Sequence, residues 1–341
     1  MKILYLFHCY LLLPCVAEVE FLLAVWRHGD RAPESLPYPS DPYNETYWPR
    51  GWNQLTNVGI DQATKLGKFL RRRYQSSVLP AFDRKKITIR ASDADRAIET
   101  AQCVATALFP PDGLQVWNEG KYRFWQPIPI RTNGKPDPML RPSKIQCPHY
   151  QRIVADERLK IEADINAKAG YMINSWSESL VLASQHINPK KALLYSSHDG
   201  TLTALLYGLG ISNHQLIPYT ACIMIELHTG NNVKVSFISI PYLSYFITHS
   251  SQSRKYTHKS YELCLQIYFR NTTSENPDDV HELFVPGCST DCHLSKFIKS
   301  VTGVRVKSLE HLEDVRHQGH SHGNITPFCR YANRLSLVRQ P

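Results

Sequence analysis

Beyond its first 17 residues the chain holds no run of about twenty apolar residues, the length a transmembrane helix needs, so no membrane-spanning segment is expected. It has no long basic helix, no zinc-finger spacing of Cys and His, and no aromatic–basic repeat. Its net charge of +9 is moderate for 341 residues, and nucleic acid is not an expected partner. Near the end His317, His320 and His322 sit close together, but no Cys or carboxylate frame surrounds them. They read as a solvated loop, and neither a metal nor a cofactor is expected. What is present is ordinary for a globular protein: 43% hydrophobic and 20% charged residues. The length allows one large domain or two ordinary ones around a substantial core.

Residues 1–17 read as a secretory signal peptide. Lys2 supplies the positive start, Ile3 to Leu13 a mostly apolar run, and Cys15-Val16-Ala17 small residues before a cut. The product is expected on the secretory route, extracellular or lysosomal. Asn44-Glu45-Thr46, Asn271-Thr272-Thr273 and Asn324-Ile325-Thr326 are glycosylation sequons that fit this compartment. Outside the leader lie Cys103, Cys147, Cys222, Cys264, Cys288, Cys292 and Cys329. Seven is odd, so at least one thiol is free or pairs with another chain.

The chain is organised around Val25-Trp26-Arg27-His28-Gly29-Asp30-Arg31-Ala32-Pro33. The apolar run Phe21 to Trp26 reads as a buried strand, and it stops at charges that such a strand could not contain. Gly29 allows a sharp turn and Pro33 ends regular structure. An imidazole between two guanidiniums suits a nucleophile or base acting on an anion, and phosphate is the anion that forked cations hold best. Glu34 to Trp52 reads as a loop beside this cluster. A helix is predicted over 56–74, with Ala63, Leu66 and Leu70 on its apolar face. Arg71-Arg72-Arg73 reads as a cation-rich helix end favoured by the dipole. Lys86 to Ala91 is a second strand. Ser92 is placed to cap the next helix, with Asp93 and Asp95 in its first turn and Ile98, Ala101, Ala105 and Leu108 inward. Arg96 opposes the dipole there, so it either serves an anion or pairs with Asp93 or Glu99. A third strand, Ala192 to Ser196, runs into Ser197-His198-Asp199-Gly200 and a helix over Leu202 to Leu209 closed by Gly210. Three strands thus end in polar loops, and in an open parallel α/β sheet such loops gather at the carboxyl edge, where ligands bind.

The segments Arg27 to Pro33, Ser92-Asp93-Ala94-Asp95-Arg96 and Ser197-His198-Asp199 together resemble the histidine acid phosphatases, the prostatic and lysosomal types of animals above all. Trp48-Pro49-Arg50-Gly51, Leu108-Phe109-Pro110-Pro111, Trp125-Gln126-Pro127-Ile128-Pro129 and Pro286-Gly287-Cys288-Ser289-Thr290-Asp291-Cys292 extend the resemblance. It implies an α/β fold: a phosphoglycerate-mutase-like, doubly wound, mostly parallel sheet flanked by helices over residues 18–341. It also implies acid hydrolysis of phosphate monoesters through a phosphohistidine. His28 would be the nucleophile and Asp199 the proton donor, with Arg27, Arg31, Arg96 and His198 holding the phosphate oxygens. No metal or cofactor is implied. A carboxyl starts near pKa ~3.9, so an acid optimum follows if Asp199 must begin protonated. Substrates would be small phosphomonoesters, with phosphoprotein or phospholipid head groups left open. Disulfides Cys147–Cys329 and Cys288–Cys292 are implied, and Cys103 is expected to be a buried thiol.

Two departures from the family stand out. The family's helical cap is replaced over 148–170 by a shortened remnant, which would leave the arginine cluster open to water and Cys222 without its partner. A weak, unselective enzyme prone to form a homodimer through Cys222 is therefore expected. Residues 235–259 interrupt a hairpin between Met224 to Leu227 and Leu265 to Phe269. They read as an atypical loop or as translated intron, the second preferred. The alternatives are a phytase-like relative and a catalytically weak or silent secreted binding protein or antigen of the same fold.

Overall fold

The structure, a computed structural model, describes residues 18–118, 121, 124–135, 137–141, 161–213, 215–229, 263–288 and 292–306, with only the backbone over 161–168. The leader, Cys147, Cys329, Asn324, the three clustered histidines near the end, and 235–259 lie outside the described residues.

Strand β1 (Val19–Arg27) is the axis of the molecule. Phe21 to Trp26 are each 0–1% exposed, as expected of a strand covered on both faces. Phe21, Leu23 and Val25 point into one core cluster and Leu22, Ala24 and Trp26 into the other. The elements that follow are α1 (Asn57–Tyr74), β2 (Ile87–Ala91), α2 (Asp95–Leu108), β3 (Ile130–Arg131) and α3 (Ile161–Ser184). After them come β4 (Ala192–Ser197), α4 (Asp199–Gly208), β5 (Cys222–His228), β6 (Cys264–Arg270), β7 (His281–Leu283), β8 (Cys292–His293) and α5 (Leu294–Ser300). The order across the sheet is β3-β2-β4-β1-β5-β6-β7, with β8 against β6. Its β3-β2-β4-β1 half is parallel and the rest antiparallel. The α1 and α2 side chains pack on one face and those of α3 and α4 on the other, so the doubly wound sheet is present.

Register sets the site. Arg27 lies opposite Ser197, and Ala91 opposite Ser196. The ends of β1, β4 and β2 are therefore level, and their three loops meet. The interrupted hairpin is also present, since β5 pairs with β6 from Cys222↔Arg270 to His228↔Cys264.

Several expectations change in detail. Helix α1 begins one residue after its cap, Thr56, whose hydroxyl accepts from the Gly59 N–H. Ser92 does not cap α2. That helix starts at Asp95 after Ala94, without a side-chain cap, which leaves Asp93 outside its first turn. Helix α4 begins at Asp199, earlier than its apolar run suggests, because a carboxylate in the first turn is favoured by the dipole. Helix α3 already includes residues 161–170, so of the 148–170 interval only 148–160 falls outside the described residues. Cys103 is half-buried rather than enclosed. Cys288 and Cys292 are bonded as implied. Asn44 is exposed, while Asn271 is half-buried and its Oδ1 accepts from His281.

Cys222 cannot serve as the expected dimer contact. It is 0% exposed in the middle of the sheet, and burial pushes its thiol up to about 12. Reaching it requires that β5 leave its place between β1 and β6. Arg71-Arg72-Arg73 form the cation-rich last turn of α1 as expected, and each also has a tertiary partner. Arg71 donates to the Leu108 carbonyl, Arg72 pairs with Glu275 at 2.8 Å, and Arg73 pairs with Glu226 at 2.9 Å.

Glu226 is 3% exposed and also accepts from the Tyr74 hydroxyl at 2.6 Å and from His228 at 2.9 Å. Burial pushes its carboxyl up, but the His228 bond, the Arg73 charge and the Tyr74 bond outweigh this and hold it below 4.5. Ionised Glu226 therefore stabilises the fold above the ordinary carboxyl range, and this is lost as pH falls through the depressed value. Breaking such a buried set leaves Arg73 facing a neutral amide, at a cost on the order of 3 kcal/mol. Urea melts of Glu226→Gln should show that loss at pH 7, and the gap to the wild type should shrink toward pH 3.

Candidate active site

The loop after β1 is held before its side chains are considered. The His28 N–H donates to the Ser197 carbonyl, and the Arg27 N–H to Ala221. Gly29 donates its N–H to Thr100 Oγ1 at 3.0 Å, and that hydroxyl in turn donates to the Arg96 carbonyl at 2.7 Å. Asp30 donates its N–H to Gln62 and accepts from the Thr56 hydroxyl at 2.6 Å. Gly29 and Gly59, the latter in the first turn of α1, touch back to back, and a Cβ on either would strike the backbone of the other segment. Gly29 is thus required for close approach rather than for a left-handed turn, since its φ is not positive.

His28 is 3% exposed. Its Nδ1 donates to the Gly29 carbonyl at 2.8 Å, and its Nε2 accepts from Arg96 Nε at 3.2 Å. The two contacts select one tautomer: the proton sits on Nδ1 and the lone pair on Nε2. Burial lowers the imidazole pKa to about 3, helped by Arg96, Arg27 and Arg31 and opposed by the Gly29 bond. The ring remains neutral, and a potential nucleophile, throughout the mildly acidic range.

All six expected residues are brought together. Arg27, on β1, lies 3.4 Å from Asp199 Oδ2 and donates to the Ile217 carbonyl. Arg31 shares its charge with Glu34 at 3.8 Å, and its buried Nε has no hydrogen-bond partner among the described residues. Arg96, 7% exposed, donates its Nε–H to His28. His198 stands 5.3 Å from the His28 ring, centroid to centroid. Asp199 is the most open, with its side chain 31% exposed and Oδ1 accepting from the Gly200 N–H.

Four participants were not foreseen. Ser92, read as a cap, is fully buried and its hydroxyl meets His198 Nε2 at 2.7 Å. A serine at a strand end before two aspartates looks like a cap, and only the β2–β4 register reveals its other use. Thr100 had a signal, a hydroxyl amid the alanines of the inward face of α2. Gln62 and Tyr219 had none. Tyr219 stacks 3.9 Å below the Arg27 guanidinium and 5.8 Å from the His28 ring. His28, Arg96 and His198 are 3–7% exposed, whereas the side chains of Arg27, Arg31 and Asp199 are 16%, 15% and 31% exposed, so the arginine cluster is partly accessible to water.

The site thus sets an imidazole lone pair among three arginines, with a carboxyl on the more open side. Residues 18–181 match the Histidine phosphatase superfamily (branch 2), and the chain is similar to that family. Bovine prostatic acid phosphatase is 26% identical over 365 aligned residues, covering 84% of this chain and 85% of that protein. Human prostatic acid phosphatase is 26% identical and covers 89% and 90%, and lysosomal acid phosphatase of Xenopus laevis is 26% identical and covers 82% and 75%. Among solved structures a phytase from Citrobacter braakii superposes with a TM-score of 0.54 at 14% identity, over 85% of this chain and 98% of that one. That last similarity concerns the fold alone. No helix among the described residues is long and apolar enough to cross a membrane.

The lowered His28 value carries a stability cost. The unfolded chain takes a proton on this imidazole near 6.5, and the folded chain refuses it until about 3. Stability therefore falls as pH drops below 6.5, by about 2 kcal/mol at pH 5 from this residue. His28→Gln removes the term, so its melting temperature should fall less than the wild type's between pH 7 and pH 5.

Proposed function

We propose that the chain hydrolyses small phosphate monoesters at acidic pH through a phosphohistidine on His28. The observation that carries this reading is the orientation of that ring, Nδ1 tied to Gly29 and Nε2 turned to Arg96. In the first step Nε2 forms a bond to phosphorus while the ester P–O bond breaks, and Asp199 gives its proton to the leaving oxygen. In the second, water attacks phosphorus, Asp199 takes its proton, the P–N bond breaks and orthophosphate leaves. Arg27, Arg31, Arg96 and His198 hold the non-bridging oxygens and offset the charge that develops on them.

The leader-like residues 1–17, the sequons and the relatives named as prostatic and lysosomal acid phosphatases support a secreted or lysosomal site of action. Similarity to the bovine protein runs over 365 aligned residues yet takes up 84% of a 341-residue chain, so that relative holds residues with no counterpart here. This supports a shortened cap over the pocket.

The test is hydrolysis of 4-nitrophenyl phosphate at pH 5 by the purified secreted chain, with and without tartrate. Turnover by the wild type and none by His28→Ala is the expected result, and equal turnover by both would overturn the reading. Asp199→Asn separates the roles further. A nitrophenolate leaves without a proton, whereas an alkoxide needs one, so alkyl phosphates should lose about 10²–10⁴-fold and nitrophenyl phosphate far less. Equal losses on the two substrates would give Asp199 another role.

A further inference from the structure

Two costly features, neither used in the reaction above, meet on one carbonyl group. Arg270, at the end of β6, is 0% exposed. Its hydrogen bonds run to main-chain oxygens: Nη1 to Thr220 at 3.2 Å, and Nε and Nη2 to Ser274 at 3.2 and 2.9 Å. The guanidinium stands 4.9 Å over the Phe69 ring. Removing a cation from water is expensive even with Asp279 and Glu275 near enough to favour its charge, and burial outweighs them and lowers its pKa. Thr220 is the second feature. It has φ +56, a left-handed conformation that a β-branched residue resists. It is fully buried, and its Oγ1 has no hydrogen-bond partner among the described residues.

The turn that contains Thr220 grips the site from the β5 side. The Thr220 N–H donates to the His28 carbonyl at 3.3 Å, and the Ala221 carbonyl accepts the Arg27 N–H at 3.0 Å. Tyr219 lies 3.9 Å under the Arg27 guanidinium, and the Ile217 carbonyl accepts a hydrogen bond from that guanidinium. Strain of this kind persists only where surrounding groups over-determine the backbone, and it concentrates at functional sites.

We propose that Arg270 is a positioning residue: by holding the Thr220 carbonyl it keeps the left-handed threonine in place, and with it the turn that aims Arg27 and His28. The inference rests on the reading of His28 as nucleophile and Arg27 as phosphate ligand. Its prediction is specific. Glycine adopts positive φ without steric cost, so a chain with glycine at position 220 has little need of Arg270.

The experiment is a double-mutant cycle of Arg270→Met and Thr220→Gly in the full chain. It is read by kcat/KM on 4-nitrophenyl phosphate and by NMR titration of the His28 imidazole. Misplacing a reacting group by about 1 Å can cost on the order of 10²-fold. Arg270→Met alone should lose that much and move His28 titration up toward 6.5, while in the Thr220→Gly background both effects should largely vanish. Equal losses in the two backgrounds overturn the proposal, whatever the melting temperatures do, because they mean that Arg270 serves only the fold. If Arg270→Met does not fold, Arg270→Lys, which keeps the charge without the fork, carries the same comparison with a smaller loss. A wild type that hydrolyses nothing, but whose His28 titration follows the cycle as stated, refutes the phosphatase reading and leaves the positioning role standing.

Discussion

The hydrogen bond from His28 Nδ1 to the carbonyl of Gly29 is the contact on which the rest of the site depends. With that proton fixed, the lone pair must sit on Nε2, where Arg96 reaches it at 3.2 Å. Rotating the ring or moving the proton would leave a buried carbonyl without a donor and turn an N–H toward an arginine, two desolvated mismatches at once. The surrounding hydrogen bonds hold this arrangement in three dimensions. Thr100 joins the loop of Gly29 to the helix of Arg96, Ser92 joins the end of β2 to His198, and the paired glycines let α1 pack directly against the loop.

The same burial that keeps His28 neutral in acid makes the folded state pay at low pH, so stability has to come from elsewhere. The sheet supplies it in part through β1, apolar on both faces, and in part through the ionised Glu226 set on the α1 side. Glu226 keeps its charge to a lower pH than a free carboxyl would. The core thus holds its ion pair in the range where the site needs an uncharged imidazole.

The parts legible from sequence were those in which local and global demands coincide. A six-residue apolar run that ends in Arg-His-Gly can only be a covered strand opening onto a loop, and the same logic located β4 and His198-Asp199. Helix α1 announced itself by its period. What stayed hidden depends on pairing between distant segments. Ser92 belongs to His198 because β2 and β4 are in register, and Arg270 reaches Thr220 because Cys222 lies opposite it across β5 and β6. Glu226, a lone carboxylate in an apolar strand, and Tyr219, an aromatic after a proline, give no sign of their partners. The expectation of pairing through Cys222 failed because it reasoned from a missing neighbour, whereas the sheet already encloses that thiol.

The central claim is that a neutral, oriented His28 carries phosphate between ester and water. Rapid mixing of the wild-type chain with a radiolabelled aryl phosphate, an alkaline quench and peptide mapping tests it directly. The account predicts label in the peptide that contains His28, stable to alkali and lost in acid. Label on another residue, or none at all while hydrolysis proceeds, would contradict it.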